Sequence, residues 1–412
     1  MSWPLSQYYN EALQSPERSF ADDDLRRGRA STNALGIPIP CSGNFADVYQ
    51  VRGPDGRNWA VKCFTREAPG LRDRYREVSQ HLRQARLPFT LDFTYLEEGV
   101  RVAGRWYPVL KMQWVAGPTL NQFAARAADK PALLDALLLI WARMGQHLRA
   151  VQVAHGDLQH GNVLLAREDN SLALKLVDYD GMWVPALAGR SSGEMGHSAY
   201  QHPRRAREQA YGPEMDRFPI LLVATALCAL RAGGRPLWEK YDRGDNLLFT
   251  QQDLEAPSKS RLFYDMLRSD DATVRVLASS LIDAARKPLD EVPLLAEVMP
   301  EFCVPLRAEI VETLHEAPRP AAAASSPLPA VVMHTLQESL RLSRPAIRRP
   351  VPRRRATGGR LVKPLIVTVV ALVVANALLC GLVGAVYFAR RGDVTTDSRR
   401  ATESARPASG RR

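Results

Sequence analysis

The sequence predicts an α+β globular region, followed by a linker and a single membrane-spanning helix. Three observations carry this. Residues 1 to about 315 alternate apolar and polar runs in both strand and helix periods. Residues 316–363 are rich in Pro, Ala and Arg ("EAPRPAAAASSPLPA", "RRPVPRRRATGGRLVK"), a composition that cannot bury a core and reads as a flexible linker. Leu365–Phe388 is a run of 24 residues without a charge. At about 1.5 Å per residue it reaches about 36 Å, beyond the roughly 30 Å of bilayer hydrocarbon.

A chain of 412 residues, 46% apolar and 24% charged, has room for one large domain or two ordinary ones. The net charge of +11 raises the question of nucleic acid, and its location answers it. Ala317–Arg412 carries 17 Lys/Arg against 4 Asp/Glu, so the globular part is close to neutral and no nucleic-acid partner is expected. Cys41, Cys63, Cys228, Cys303 and Cys380 show no metal-like spacing and read as reduced thiols. "MSWPLSQYYNEALQ" has neither a basic nor an apolar signal region, so no secretory signal is expected. Residues 1–34 form an N-terminal extension that either packs on the domain or hangs free.

Taken in order, the elements suit one chemistry. "PCSGNFADVYQV" reads as two strands around a turn with Gly43 at the bend and Phe45 as its cap. "NWAVKCF" is a strand with Lys62 embedded in it, and "RDRYREVSQHLRQA" is a helix carrying Glu77. "HGDLQHGNVLL" holds Asp157 and Asn162 five residues apart ahead of an apolar run. "SLALKLVDYDGM" alternates as a strand and ends on Asp178, leaving room for a hairpin through "REDNS". An Asn and an Asp brought together at hairpin ends are oxygen ligands suited to Mg²⁺. Phosphoryl transfer needs little more than a held nucleotide, neutralised phosphates and a positioned acceptor hydroxyl.

This order of parts resembles the protein-kinase superfamily, in which a Gly-rich turn, a strand Lys, a helix Glu, an H-R-D-x-x-x-x-N loop and a D-F-G triplet follow one another. The resemblance covers about residues 35–300. It implies a bilobal protein-kinase-like fold, with a small β-rich lobe over about 35–113 and a mainly helical lobe over about 116–300. "VLKMQWVAGPTL" resembles the hinge, with Met112 as gatekeeper and Gln113 to Val115 facing adenine. "PALLDALLLIWARMGQHLRAVQV" resembles the long helix before the catalytic loop. "GHSAYQHPRR" resembles the peptide-positioning segment, and "DRFPILLVATALCAL" the buried central helix whose Asp216 ties down the loop backbone.

By that resemblance ATP and Mg²⁺ are the cofactors. Lys62 contacts the phosphates and Glu77 orients it; Asp157 accepts the acceptor's proton; Asn162 and Asp178 hold the metal. Gly43, Phe45, Val48, Met112, Gln113 and Val115 line the nucleotide. His155 packs the loop. Several positions depart from the pattern. Cys41 and Ala46 replace glycines, and Gly156 replaces the loop Arg, which implies activity independent of activation-loop phosphorylation. Gln159 replaces the loop Lys, with His197 altered nearby. Asp180 follows Tyr179 where the family has Gly, which opens a second register for the metal ligand. Arg204 replaces the Glu of A-P-E, and Lys287 stands near where its partner would be.

The expected activity is Ser/Thr phosphorylation of a protein substrate by a membrane-anchored kinase. The alternatives are a pseudokinase scaffold and, from the H-G-D-L wording, a small-molecule phosphotransferase. Seven Lys/Arg lie between Arg348 and Lys363, against five in residues 390–406. That bias sets the kinase domain in the cytoplasm and the 390–412 tail outside, with 348–363 placed to meet anionic lipid. Ala377, Gly381 and Ala385 make a small-residue stripe suited to a homodimer contact.

Overall fold

The computed structural model describes residues 3–43, 45–67, 70–168 and 171–302. The expected linker, membrane span and tail lie outside the described residues. Within them the chain is mixed α+β, as expected.

Six strands form one antiparallel sheet: β1 (Arg29–Ala30), β2 (Pro40–Ser42), β3 (Ala46–Arg52), β4 (Asn58–Phe64), β5 (Phe93–Val102) and β6 (Arg105–Gln113). Their order is β1-β3-β4-β6-β5, with β2 also paired to β3. A separate two-stranded hairpin, β7 (Val163–Glu168) with β8 (Ser171–Leu176), pairs Val163 with Leu176 at its open end. This is the hairpin expected between Asn162 and Asp178.

Helices α1 (Ser6–Gln14), α2 (Pro16–Ser19) and α3 (Asp23–Arg26) precede the sheet, and α4 (Leu71–Ala85) lies between β4 and β5. After the sheet come α5 (Leu120–Ala127), α6 (Pro131–Ala150), α7 (Arg205–Glu208), α8 (Arg217–Tyr241), α9 (Gln251–Glu255), α10 (Arg261–Leu267), α11 (Ala272–Arg286) and α12 (Leu295–Val298).

Strand alternation gives the sheet two different faces. Val51, Val61, Cys63, Val100 and Val109 bury one face against Tyr9, Leu13, Phe20 and Leu25 of the N-terminal extension. The Tyr9 hydroxyl donates to Phe64 O at 2.6 Å and the Tyr49 hydroxyl to Asn10 Oδ1 at 2.8 Å. The extension therefore packs. The opposite face, with Ala46, Phe64, Leu110 and Met112, meets Tyr75, Val78 and Leu82 of α4 and continues into the core of the helical part. Tyr75, Val78 and Leu82 recur at helical spacing, so one stripe of α4 turns inward.

The helical part is built around α6 and α8. Apolar residues recur along α6 from Leu133 to Leu148, and Trp141, fully buried, donates its indole N–H to Ile220 O at 3.0 Å. Among the described residues α8 is the one helix long and apolar enough to cross a membrane, yet Leu221–Leu230 is buried throughout. It is a core helix, kinked at Gly234, whose φ is +59°.

Candidate functional site

The loop His155–Asn162 runs from the end of α6 into β7 and is held from below by Asp216 at the start of α8. Asp216 accepts from the backbone N–H of His155 at 2.5 Å and of Gly156 at 2.9 Å. His155 is fully buried; its Nε2 meets Val177 O at 3.0 Å and its ring sits edge-on to Tyr179. Gly156 adopts φ +80°, and a Cβ there would lie 2.3 Å from Gly181 O. That geometry explains why no arginine stands at this position: a side chain has neither the backbone conformation nor the space. Buried Arg205 instead donates to Gly156 O at 2.5 Å.

Asp157 and Asn162 are brought together. The Asn162 amide donates to Asp157 Oδ2 at 2.9 Å and to Asp157 O at 3.0 Å. His197 N donates to the other carboxylate oxygen at 2.7 Å. Burial raises the Asp157 pKa; the His197 hydrogen bond opposes that shift, and the Asp178 charge adds to it.

Lys62 meets the segment that follows β8. Its Nζ lies 2.7 Å from Asp178 Oδ1 and 2.6 Å from Asp180 Oδ2, across more than 110 residues of chain. Burial disfavours the charged lysine, but the two carboxylates more than offset it and raise its pKa. The carboxylates differ. Burial opposes ionisation of Asp178, and Lys62 outweighs it, so its pKa is lowered. At Asp180 burial dominates and the pKa is raised. Asp178 also holds a left-handed backbone, φ +65°, uncommon for a side-chain-bearing residue and found chiefly where surroundings impose it.

Glu77 requires a correction. It does not reach Lys62; its carboxylate meets Arg76 at 3.1 Å. Glu77 follows Tyr75 by two residues, about 200° around the helix, so it leaves the stripe that faces inward. The residues α4 does aim at the site are Arg74 and Tyr75. The Tyr75 hydroxyl donates to Asp180 Oδ1, and Arg74 donates to Asp180 O at 3.2 Å and Ser191 O at 2.9 Å. The inward stripe Tyr75-Val78-Leu82 was the sequence signal for this.

The positions expected to line a nucleotide lie on β3, on β6 and in the segments that adjoin them. Val48 and Leu110 flank Lys62 in register on adjacent strands. Met112 is buried between Ala60 and Phe93. Gln113 pairs with Trp59 at the sheet's end, and Val115 follows, half-buried. Gly117 then passes so close to Leu165 that a Cβ would lie 2.3 Å from its carbonyl oxygen. Gly43 donates to Ala46 O at 2.9 Å and closes the β2–β3 turn, where a Cβ would meet Ala46 O at an ordinary contact distance of 3.5 Å. Phe45 lies under the Arg66 guanidinium, 3.0 Å from its ring centroid. A cavity beside the turn is lined by Phe45, Phe64, Leu71, Arg74, Asp180 and Glu194.

Glu194 is a residue of the candidate site that sequence patterning misses, because "SSGEMG" has no period. Burial first, then the charges of Asp180 and Asp178, push its pKa up to about 8. Two carboxylates thus hold one lysine, with Glu194 beside them, an excess of negative charge that a hard cation would relieve. Among the described residues no three His, Cys, Asp or Glu side chains form a ready-made metal cage. The donors present, the Asp178 carboxylate and the Asn162 amide oxygen, fit a cation that takes its remaining ligands from phosphate and water, as Mg²⁺ does.

The other departures also find partners. Gln159 accepts from Gly161 N at 2.6 Å and shapes the loop. His197 and His160 both approach Asp245, at 3.1 and 3.4 Å. Arg204 donates to Arg286 O at 2.5 Å, and His202 meets Ala284 O at 2.9 Å, so this segment satisfies carbonyls at the C-terminus of α11. A cation suits that end of a helix, and no ion pair with Lys287 is needed.

No protein-family model matches this chain, and no curated protein matches it in sequence.

Proposed function

We propose that the chain is a divergent protein kinase of the Ser/Thr type, with a bilobal kinase-like catalytic domain over about residues 35–300. The observation that carries this reading is the meeting of Lys62 with Asp178 at 2.7 Å, beside the Asp157–Asn162 pair. Asp216, which fastens the His155 and Gly156 amides, adds support.

In this reading Lys62 reaches the nucleotide's α- and β-phosphates. The Gly43–Phe45 turn covers them, and Val48, Met112, Gln113 and Val115 border the adenine. Asn162 and Asp178 would hold Mg²⁺, which supplies charge neutralisation on the transferred phosphoryl group. Asp157 orients the acceptor hydroxyl and takes its proton. Burial, which raises its pKa, makes it a better base than a solvated carboxylate. Residues 365–388 anchor the chain in a membrane, with the catalytic domain on the cytoplasmic side, the 390–412 tail outside, and 348–363 against anionic lipid.

A second reading, a pseudokinase scaffold, has its own observation. Lys62 is engaged by two carboxylates, and Glu194 stands beside them at the phosphate end of the cleft. One assay separates the two. The full chain in detergent, given γ-labelled ATP and Mg²⁺, is expected to phosphorylate itself or a generic protein, and Asp157→Asn to cut transfer by about 10³-fold or more. Labelling that survives Asp157→Asn, or nucleotide binding without transfer, replaces the kinase with the scaffold.

A further inference from the structure

We propose that Asp180, anchored by Tyr75, is the residue that positions Lys62 for the nucleotide phosphates, which leaves Asp178 to the metal. This rests on the nucleotide-binding reading above and assigns two of its acids to different tasks.

Three observations point the same way. First, both Asp180 oxygens are engaged from fixed elements: Oδ2 by Lys62 at 2.6 Å, Oδ1 by the Tyr75 hydroxyl, while Arg74 holds the Asp180 carbonyl at 3.2 Å. Each oxygen keeps a second lone pair, but both are already committed to a fixed donor on a side chain that is almost wholly buried. Second, exposure separates the pair. The Asp180 side chain is 7% exposed and that of Asp178 is 42%, so Asp178 is the acid within reach of a solvent-borne ion. Third, both carboxylates of α4 are elsewhere, since Asp73 and Glu77 each pair with Arg76. The helix reaches the lysine through a neutral hydroxyl and a borrowed carboxylate.

Tyr75 is well placed for this. It is fully buried, stacked on Tyr95 and edge-on to Phe93, so its hydroxyl has a fixed origin. When Asp178 turns to a metal ion, Lys62 keeps one carboxylate and stays aimed into the cleft. Asp180 and Tyr75 are positioning residues, because they act through Lys62.

The test is calorimetric titration of the full chain with ATP at a series of Mg²⁺ concentrations, which separates nucleotide affinity from the Mg²⁺ level that half-saturates it. Glu77→Gln is expected to bind ATP like the wild type. Asp180→Asn is expected to weaken ATP binding about 10-fold or more, with the Mg²⁺ half-point unmoved. Tyr75→Phe, which keeps the ring packing, is expected to lose about 3- to 10-fold in the same parameter. Asp178→Asn is expected to raise the Mg²⁺ half-point about 10-fold. A general loosening of the fold would not divide the two parameters in this way. Wild-type affinity in Asp180→Asn and Tyr75→Phe overturns the proposal. So does a Glu77→Gln loss equal to that of Asp180→Asn, or a Mg²⁺ half-point that moves as far in Asp180→Asn as in Asp178→Asn. In those outcomes the nucleotide-binding reading stands. A wild-type chain that binds no ATP at any Mg²⁺ concentration overturns both.

Discussion

The two faces of the sheet carry the same local device put to different uses. On one face Lys62 of β4 is held by Asp178 and Asp180; on the other Lys111 of β6 is held by Asp22 and Asp24 at 2.8 and 2.9 Å. Both lysines are largely buried, and each faces an Asp-x-Asp. The surroundings differ. Lys111 is closed over by Trp59, 4.3 Å from its ring centroid, and Asp22 also accepts from Leu25 N at the start of α3. That pairing fastens the N-terminal extension to the sheet. Lys62 has a further acid nearby, Glu194, and a cavity lined by Asp180 and Glu194 adjoins its partners. A lysine clamped by two acids is therefore a staple or a site according to the charge left over and the room beside it.

Replacing each lysine sharpens that contrast. Lys62→Met has the largest expected effect: ATP affinity falls by about 100-fold or more, read by titration calorimetry. Lys111→Met leaves ATP affinity unchanged and instead lowers unfolding stability by about 1–2 kcal/mol in a denaturant titration, a value below that of a sealed ion pair because Asp24 is partly exposed. Loss of ATP binding in Lys111→Met would erase the distinction.

The smallest effect concerns Glu194. Its folded-state pKa of about 8 exceeds that of a carboxyl in the unfolded chain, so the folded state holds the proton more tightly. That contribution is fully present below the unfolded value and is lost as pH rises through about 8. Glu194→Gln, which cannot ionise, is expected to melt a few degrees above the wild type at pH 9 and level with it at pH 5. An equal difference at both pH values would show that the excess charge around Lys62 is already relieved without it.

Much of this was legible in the sequence, for physical reasons. "NWAVKCF" is β4 residue for residue, because strand alternation with buried Val61, Cys63 and Phe64 leaves little choice. The hairpin from Asn162 to Asp178 followed from two apolar alternating runs around "REDNS". The site's long-range pairing, Lys62 with Asp178, came from the order of motifs. Glu77 misled because it was chosen for its charge, whereas helical phase decides what faces inward, and phase selects Tyr75. Gly156 could not be understood without its left-handed backbone and the Gly181 carbonyl against it. The extension stayed ambiguous because α1, α2 and α3 are 9, 4 and 4 residues long. Helices that short gain their stability from the surface they cover, which local sequence does not display.

The central claim, that Lys62 is the lysine at a nucleotide's phosphates, can be read directly with an ATP analogue whose terminal acyl phosphate transfers its acyl group to an adjacent amine. Treatment of the full chain followed by peptide mass spectrometry should find the acyl group on Lys62, and excess ATP with Mg²⁺ should suppress it. Acylation of Lys111 or of surface lysines alone, or a Lys62 adduct that excess ATP does not diminish, would contradict the account.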